Sequence, residues 1–197
     1  MSTKQAIARV ILAVVGWKVV PRAHIPEKCV VIGVPHTSNW DFILLLLGAA
    51  FYGVRLNWLG KAELFKFGMG PLMRALGGFP VYRDAPHGLV QQVIDTFARE
   101  PVMRLVIPPE GTRKRTEYWK SGFYRIALGA GVPLHLGKVD YVNKVIDFGD
   151  PMPLTGDVHA DMDAIRAWYA TGAVGRFPEL AGPIRLRDEE SAPPSAA

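Results

Sequence analysis

The sequence predicts a single α/β domain, a largely parallel β-sheet flanked by helices with an amphipathic helix at the N-terminus. Three observations predict it. Short, β-branched apolar runs alternate along the chain with stretches of helical patterning. The clearest of those runs, CVVIGV at 29–34, is apolar almost throughout, as strands covered on both faces are. The chain has 197 residues, 49% of them apolar, which suffices for one sizeable core and fits two domains only with difficulty.

Each element follows in order. Residues 1–21 form the N-terminal segment. Its stretch 6–20 is largely apolar but is interrupted by Arg9, Gly16 and Lys18. A bilayer span needs about 20 predominantly apolar residues, and the unbroken run 10–15 is far shorter. Trp17, Lys18 and Pro21 stand where a signal peptide would carry its cleavage site. The segment reads as a helix that lies either on the protein or in a membrane interface, with basic residues near lipid phosphates. Residues 22–186 form the main domain. Strands are expected at 29–34, 55–59, 79–82, 102–107, 132–139 and 142–148. Helices are expected at 38–52, within 63–76, and at 87–100, 121–130 and 161–170. Residues 187–197 are charged, then rich in Ser, Pro and Ala, and read as a disordered tail.

Composition narrows the function classes. Cys29 is the single cysteine, which excludes an internal disulfide framework and any CxxC site and is compatible with the cytosol. The net charge of +5 favours anionic partners: nucleic acid, lipid head groups or phosphorylated substrates. RNA-recognition aromatic motifs and zinc-finger spacings are missing, which ranks nucleic acid below a membrane surface. The remaining histidines, His24, His87, His135 and His159, share no ligand spacing, so no metal is expected.

Four stretches can carry chemistry. The first is Pro35-His36-Thr37-Ser38-Asn39-Trp40-Asp41, a histidine five residues before an aspartate. With His36 on the loop that ends a strand and Asp41 in the first turn of the next helix, the chain folds back. The carboxylate then meets the imidazole, holds the ring and favours its protonated form, as suits a general base. Strand C-termini are also where α/β sheets place ligand sites. A purely structural alternative uses the same residues: Ser38 and Asp41 are a Ser-x-x-acid capping box, and His36 then only occupies a turn. His135 and Asp140 repeat the spacing inside an apolar strand pattern. There the side chains point to opposite faces, roughly 17 Å apart along the chain, so that match is accidental.

The second stretch runs from Gly60-Lys61 to Gly77-Gly78-Phe79-Pro80-Val81-Tyr82-Arg83. Arg83, just after a short strand, can grip a phosphate through two parallel hydrogen bonds, and Lys61 can add a point charge. An ordinary surface arginine at a strand end is the alternative for Arg83. The third is Ile107-Pro108-Pro109-Glu110-Gly111-Thr112-Arg113. Gly111 lets the backbone approach a ligand, Glu110 can bind a polar acceptor group or a neighbouring cation, and Arg113 can meet phosphate. A solvated loop is the alternative. The fourth, Gly131-Val132-Pro133-Leu134, is explained equally well as a helix exit into a core strand.

Their order adds information that none carries alone. A histidine and aspartate at this spacing, a Gly-rich segment ending in arginine, Pro-Glu-Gly-Thr-Arg and then Val-Pro resembles the glycerolipid acyltransferase family, whose best-known members are the 1-acylglycerol-3-phosphate acyltransferases. The resemblance spans 29–136 and implies a glycerolipid-acyltransferase-like fold. It implies transfer of a fatty acyl group from acyl-CoA or an acyl carrier protein to a hydroxyl of a lysophospholipid, with no further cofactor. By the same resemblance His36 is the base and Asp41 its partner. Arg83, Glu110 and Gly111 match the acceptor-binding motifs, and Lys61 and Arg113 are additional phosphate ligands. Pro35, the Ile107-Pro108 pair before Pro109-Glu110, and the polar residues His135, Lys138 and Asp140 depart from the family's usual pattern. These departures bear on the identity of the acceptor.

The expected reaction is direct attack of the acceptor oxygen on the thioester, without an acyl-enzyme, because Cys29 lies in an apolar strand and Ser38 is placed to cap a helix. The expected location is the cytoplasm, peripheral on the inner face of the cell membrane. Two rivals stand beside this reading: an acyltransferase for an amino-lipid, a sugar lipid or a small alcohol, and a non-catalytic module for anionic membranes. A thioesterase or lipase would need a Gly-x-Ser-x-Gly elbow, which the chain lacks.

Overall fold

A computed structural model describes residues 1–21, 24–66, 68–82 and 88–191. Helix α1 (Thr3–Val14) leads into a short strand β1 (Lys18–Val19), then β2 (Lys28–Val34) and α2 (Asn39–Tyr52). Strand β3 (Trp58–Lys61) is followed by a 3-10 turn (Ala62–Phe65), α3 (Gly70–Ala75) and β4 (Gly78–Val81). Next come α4 (Gly88–Arg99), β5 (Met103–Ile107), α5 (Gly122–Ala130), β6 (Leu134–Asp140) and β7 (Val145–Met152). Helix α6 (Val158–Tyr169) and a last turn α7 (Asp188–Ser191) complete the described chain.

The main sheet has the order β1-β7-β6-β2-β5, with every neighbouring pair parallel except β6–β7. Strand β2 lies inside it, between β6 and β5, which explains its apolar run. Val30, Ile32 and Val34 pack on one face with Phe97 of α4, Phe123 of α5 and Ile165 of α6. Cys29 and Val31 pack on the other with Leu12 of α1 and Leu44, Leu45 and Ala49 of α2. Both faces of the sheet are thereby covered. Gly48 brings α2 against the sheet, since a Cβ there would lie 2.8 Å from Ile146 and 2.9 Å from the Phe148 ring.

Strands β3 and β4 form a separate two-stranded parallel sheet. Asn57 fastens it to the main sheet: its backbone N–H donates to the Arg104 carbonyl and its own carbonyl accepts from Val106. Its side chain accepts from the Arg104 N–H and donates to the Gly77 carbonyl.

Several expected boundaries move. The N-terminal helix ends at Val14, because Gly16 turns left-handed (φ 76°), and Lys18–Val19 adds an edge strand on β7. The strand expected at 55–59 begins at Trp58, its earlier residues being drawn to β5 through Asn57. The single helical stretch within 63–76 is two pieces, divided at Gly68 (φ 80°), with Pro71 in the first turn of α3. Residues 188–191, expected to begin a disordered tail, form a helical turn in which Asp188 pairs with Arg125 and Glu189 with Arg166. Apolar content is low there, and these ion pairs supply what composition does not reveal.

Candidate active site

The loop between β2 and α2 places His36 and Asp41. Ser38 adopts an extended backbone before α2, and its hydroxyl accepts the Trp40 N–H while Asp41 reaches back to the Ser38 N–H. The capping box is therefore real, and Asp41 closes it. Its Oδ2 accepts two backbone N–H groups, from Thr37 at 2.6 Å and Ser38 at 2.7 Å. The same oxygen lies 3.7 Å from His36 Nδ1. The carboxylate that caps α2 is thus also the one that approaches the imidazole.

The contact differs from the expected one in two respects. At 3.7 Å it is an electrostatic approach rather than a hydrogen bond. Catalytic contacts of this kind often tighten only when substrate binds. The imidazole is also held below its usual pKa. Burial is the larger influence, Asp41 opposes it and Arg113 adds to it, so the neutral base is favoured rather than the protonated form. Nδ1 is the ring nitrogen turned to Asp41.

His36 is about one-fifth exposed and lines a cleft of about 490 Å³. The other lining residues are Asn39, Phe42, Trp58, Leu59, Val106, Ile107 and Pro108. One wall belongs to the main sheet and α2, the other to β3. Behind the imidazole a second space of about 40 Å³ reaches down between Leu45, Val106 and Val139. Helix α2 thus serves two purposes. Its Phe42 faces the cleft, while Leu44, Leu45, Gly48 and Ala49 are buried in the core.

The other expected site residues fall in different places. Glu110 is buried, and its Oε1 accepts the His36 backbone N–H at 3.0 Å. Its Oε2 has no hydrogen-bond partner among the described residues. Burial pushes this carboxyl up to about 7, against the pull of its backbone hydrogen bonds. Glu110 therefore braces the histidine loop from beneath. Gly111 has φ 65°, a conformation costly for any residue with a Cβ, and its N–H closes a turn onto the Pro108 carbonyl. Arg113 is exposed and donates to the Asn39 side chain at the start of α2, which puts a cation at the rim of the cleft. Lys61 ends β3, exposed, three residues beyond Trp58 in the cleft wall, and is not itself among the lining residues. Arg83 lies outside the described residues.

Sequence reasoning missed Tyr141, whose hydroxyl donates to Asp41 Oδ1 at 2.8 Å from the turn between β6 and β7. An aromatic residue at a strand end carries no local signal of such a role. It also missed Trp58 and Leu59 as cleft wall, because strand spacing says nothing about which sheet a strand joins. Cys29, by contrast, sits where its apolar surroundings placed it: it is fully buried, and burial pushes its thiol up to about 12, unsuited to a nucleophile. Among the described residues no group of three or more His, Cys, Asp or Glu side chains is placed to hold a metal ion.

Comparison with known proteins agrees with this arrangement. The profile of the Acyltransferase family matches residues 14–135, more than half of the chain, and includes the His36 loop and the Glu110 loop. The crystal structure of the 1-acyl-sn-glycerophosphate acyltransferase PlsC from Thermotoga maritima superposes with a TM-score of 0.56. The alignment covers 85% of this chain and 78% of that one at 13% identity, so it shows a shared fold. No curated protein matches at the level of sequence. A histidine loop and a Pro-Glu-Gly-Thr-Arg loop brought together on this α/β scaffold, and the family profile that spans both, agree: the chain belongs to the Acyltransferase family and is an acyltransferase enzyme.

Proposed function

We propose that the enzyme moves a fatty acyl group from acyl-CoA or an acyl carrier protein to a hydroxyl of a lysophospholipid, such as 1-acylglycerol-3-phosphate, at a membrane surface. The observation that carries this reading is the His36 imidazole, 3.7 Å from Asp41, at an apolar cleft of about 490 Å³. His36 Nε2 takes the proton of the acceptor hydroxyl as its oxygen attacks the thioester carbonyl. The tetrahedral intermediate then expels the thiolate of the donor, which recovers the proton from His36. The ester C–O bond forms, the C–S bond breaks, and no group remains on the protein.

The walls Phe42, Trp58, Leu59, Val106 and Ile107 suit an acyl chain, and Arg113 at the rim suits the phosphate of the acceptor. Family resemblance adds Arg83 and Lys61 as phosphate ligands and Gly111 as a point of close backbone approach. Phosphate recognition agrees with the fold shared with a 1-acyl-sn-glycerophosphate acyltransferase.

Membrane contact is supported by α1. Ala8 and Leu12 face inward, while Ile7, Val10, Ile11 and Val14 form a stripe 40–81% exposed. Positions spaced i, i+3, i+4 and i+7 share one helical face. Among the described residues no helix is long and apolar enough to cross a membrane; the exposed stripe of α1 supports the proposed peripheral association, and the inner face of the cell membrane is part of that proposal.

A panel of lysolipid and non-lipid acceptors, each offered with labelled acyl-CoA and acyl carrier protein, tests the reading. Turnover of a phosphorylated lysolipid supports it. Turnover confined to amino-lipid, sugar-lipid or small-alcohol acceptors moves the reaction to the alternative acceptor class. Full activity of His36→Ala overturns the mechanism.

A further inference from the structure

We infer that Tyr141 is a positioning residue of the acyl transfer, fixing the plane of the Asp41 carboxylate against His36; this rests on the general-base reading of His36. The two backbone bonds to Asp41 come from its own loop and both end on Oδ2. They leave Oδ1, and with it the tilt of the carboxylate, to be fixed from elsewhere. Tyr141 does this, donating its hydroxyl to Oδ1 at 2.8 Å from a position 100 residues away in sequence.

The phenol is itself well anchored. Its backbone N–H donates to the Val174 carbonyl at 2.9 Å. Its ring meets Trp17 edge-on, with centroids 5.0 Å apart and planes at 88°. Burial, and then the bond to Asp41, push the phenol above its usual range, so it remains a donor throughout the working pH. A hydrogen-bond donor at this point draws charge from the carboxylate, so it also moderates how strongly Asp41 stabilises the imidazolium.

The charged and titratable groups around the pair come from five places. Asp41 is on α2. Glu110 and Arg113 come from the loop after β5. Lys138 of β6 lines the small cavity with His36 and Asp41. Tyr141 follows β6, and Arg176, after α6, acts on Tyr141. Tyr141 is the one among these that bonds Oδ1.

The test is Tyr141→Phe in the full chain, measured beside His36→Ala. Phenylalanine keeps the ring against Trp17 and removes only the hydroxyl. The kcat of Tyr141→Phe is expected to fall about tenfold, with KM for both substrates within about twofold, as for one lost hydrogen bond to a charged group. The acid limb of its kcat profile should move to higher pH, because an undiluted carboxylate charge raises the His36 pKa. An NMR titration of the imidazole reads that shift without any turnover. A residue that merely packs would leave both readings unchanged. Wild-type kcat, pH profile and imidazole titration in Tyr141→Phe, with His36→Ala inactive, overturn the role of Tyr141 alone. Undiminished turnover by His36→Ala overturns the general-base reading beneath it.

Discussion

His36–Asp41 and His135–Asp140 are one sequence pattern met twice in the same molecule. In the first, β2 ends at Val34 and α2 begins at Asn39, so the backbone reverses between the two side chains and brings them to 3.7 Å. In the second, both residues belong to β6. His135 is fully buried beside the Phe148 ring, with neither ring nitrogen hydrogen-bonded among the described residues. Asp140 instead accepts the Val142 and Asn143 N–H groups in the turn to β7. A strand-to-helix bend converts spacing into contact. A continuous strand converts the same spacing into two unrelated structural roles. Environment then divides the two imidazoles further: one opens on a cleft, the other is sealed in the core.

The widest separation between the two pairs should be in turnover. His36→Ala is expected to lose at least about 10²–10⁴-fold in kcat, the usual contribution of a general base, with its melting temperature nearly unchanged. His135→Leu should retain wild-type kcat. Equal losses in a steady-state assay would erase the distinction between the pairs.

The aspartates should differ next. Asp41→Asn removes the charge behind His36 and leaves one side-chain oxygen where two now accept three donors. A loss of about 10²-fold in kcat is expected, with about 1 kcal/mol of stability lost at the helix start. Asp140→Asn retains one acceptor for its turn, so only a stability loss of about 1 kcal/mol or less is expected, with kcat within about twofold. Paired denaturation curves and rate measurements check both variants.

The last difference should emerge in acid, as a pH dependence of stability rather than a loss of turnover. Burial pushes His135 down to about 4, so the unfolded chain takes up a proton near pH 6.5 that the folded one refuses. Above pH 6.5 the ring is neutral in both states and adds no pH dependence to stability. Stability is then lost as pH falls through the window from 6.5 to 4, by up to roughly 3 kcal/mol. His135→Leu should flatten that part of the melting-temperature profile. An unaltered slope would mean that the ring gains its proton without unfolding.

What could be read from sequence divides along the same line between local and distant contacts. The histidine loop was legible because its geometry is set within six residues by a strand end, a Ser cap and a helix. The apolar run of β2 was legible because burial on both faces leaves a compositional trace. Glu110 was singled out from its Pro-Glu-Gly loop, but its inward direction was not legible. Its contact with the His36 N–H spans 74 residues, and no periodicity announces that a carboxylate turns inward. Tyr141 left no trace, since its partner is fixed by how the β6–β7 turn meets α2. The edge strand at Lys18–Val19 was hidden in an apolar stretch that also suits a helix, and only the exposed backbone of β7 decides between them.

The division of the cleft between two sheets has a consequence for how such an enzyme can diversify. The imidazole and its carboxylate ride on the large sheet, whereas Trp58 and Leu59 belong to the small one, moored through Asn57. The outer wall of the cleft and the imidazole–carboxylate pair are thus carried by separate pieces of backbone. If the proposed acyl transfer holds, substituting Trp58 or Leu59 reshapes the acyl-chain wall while the His36–Asp41 pair stays in place.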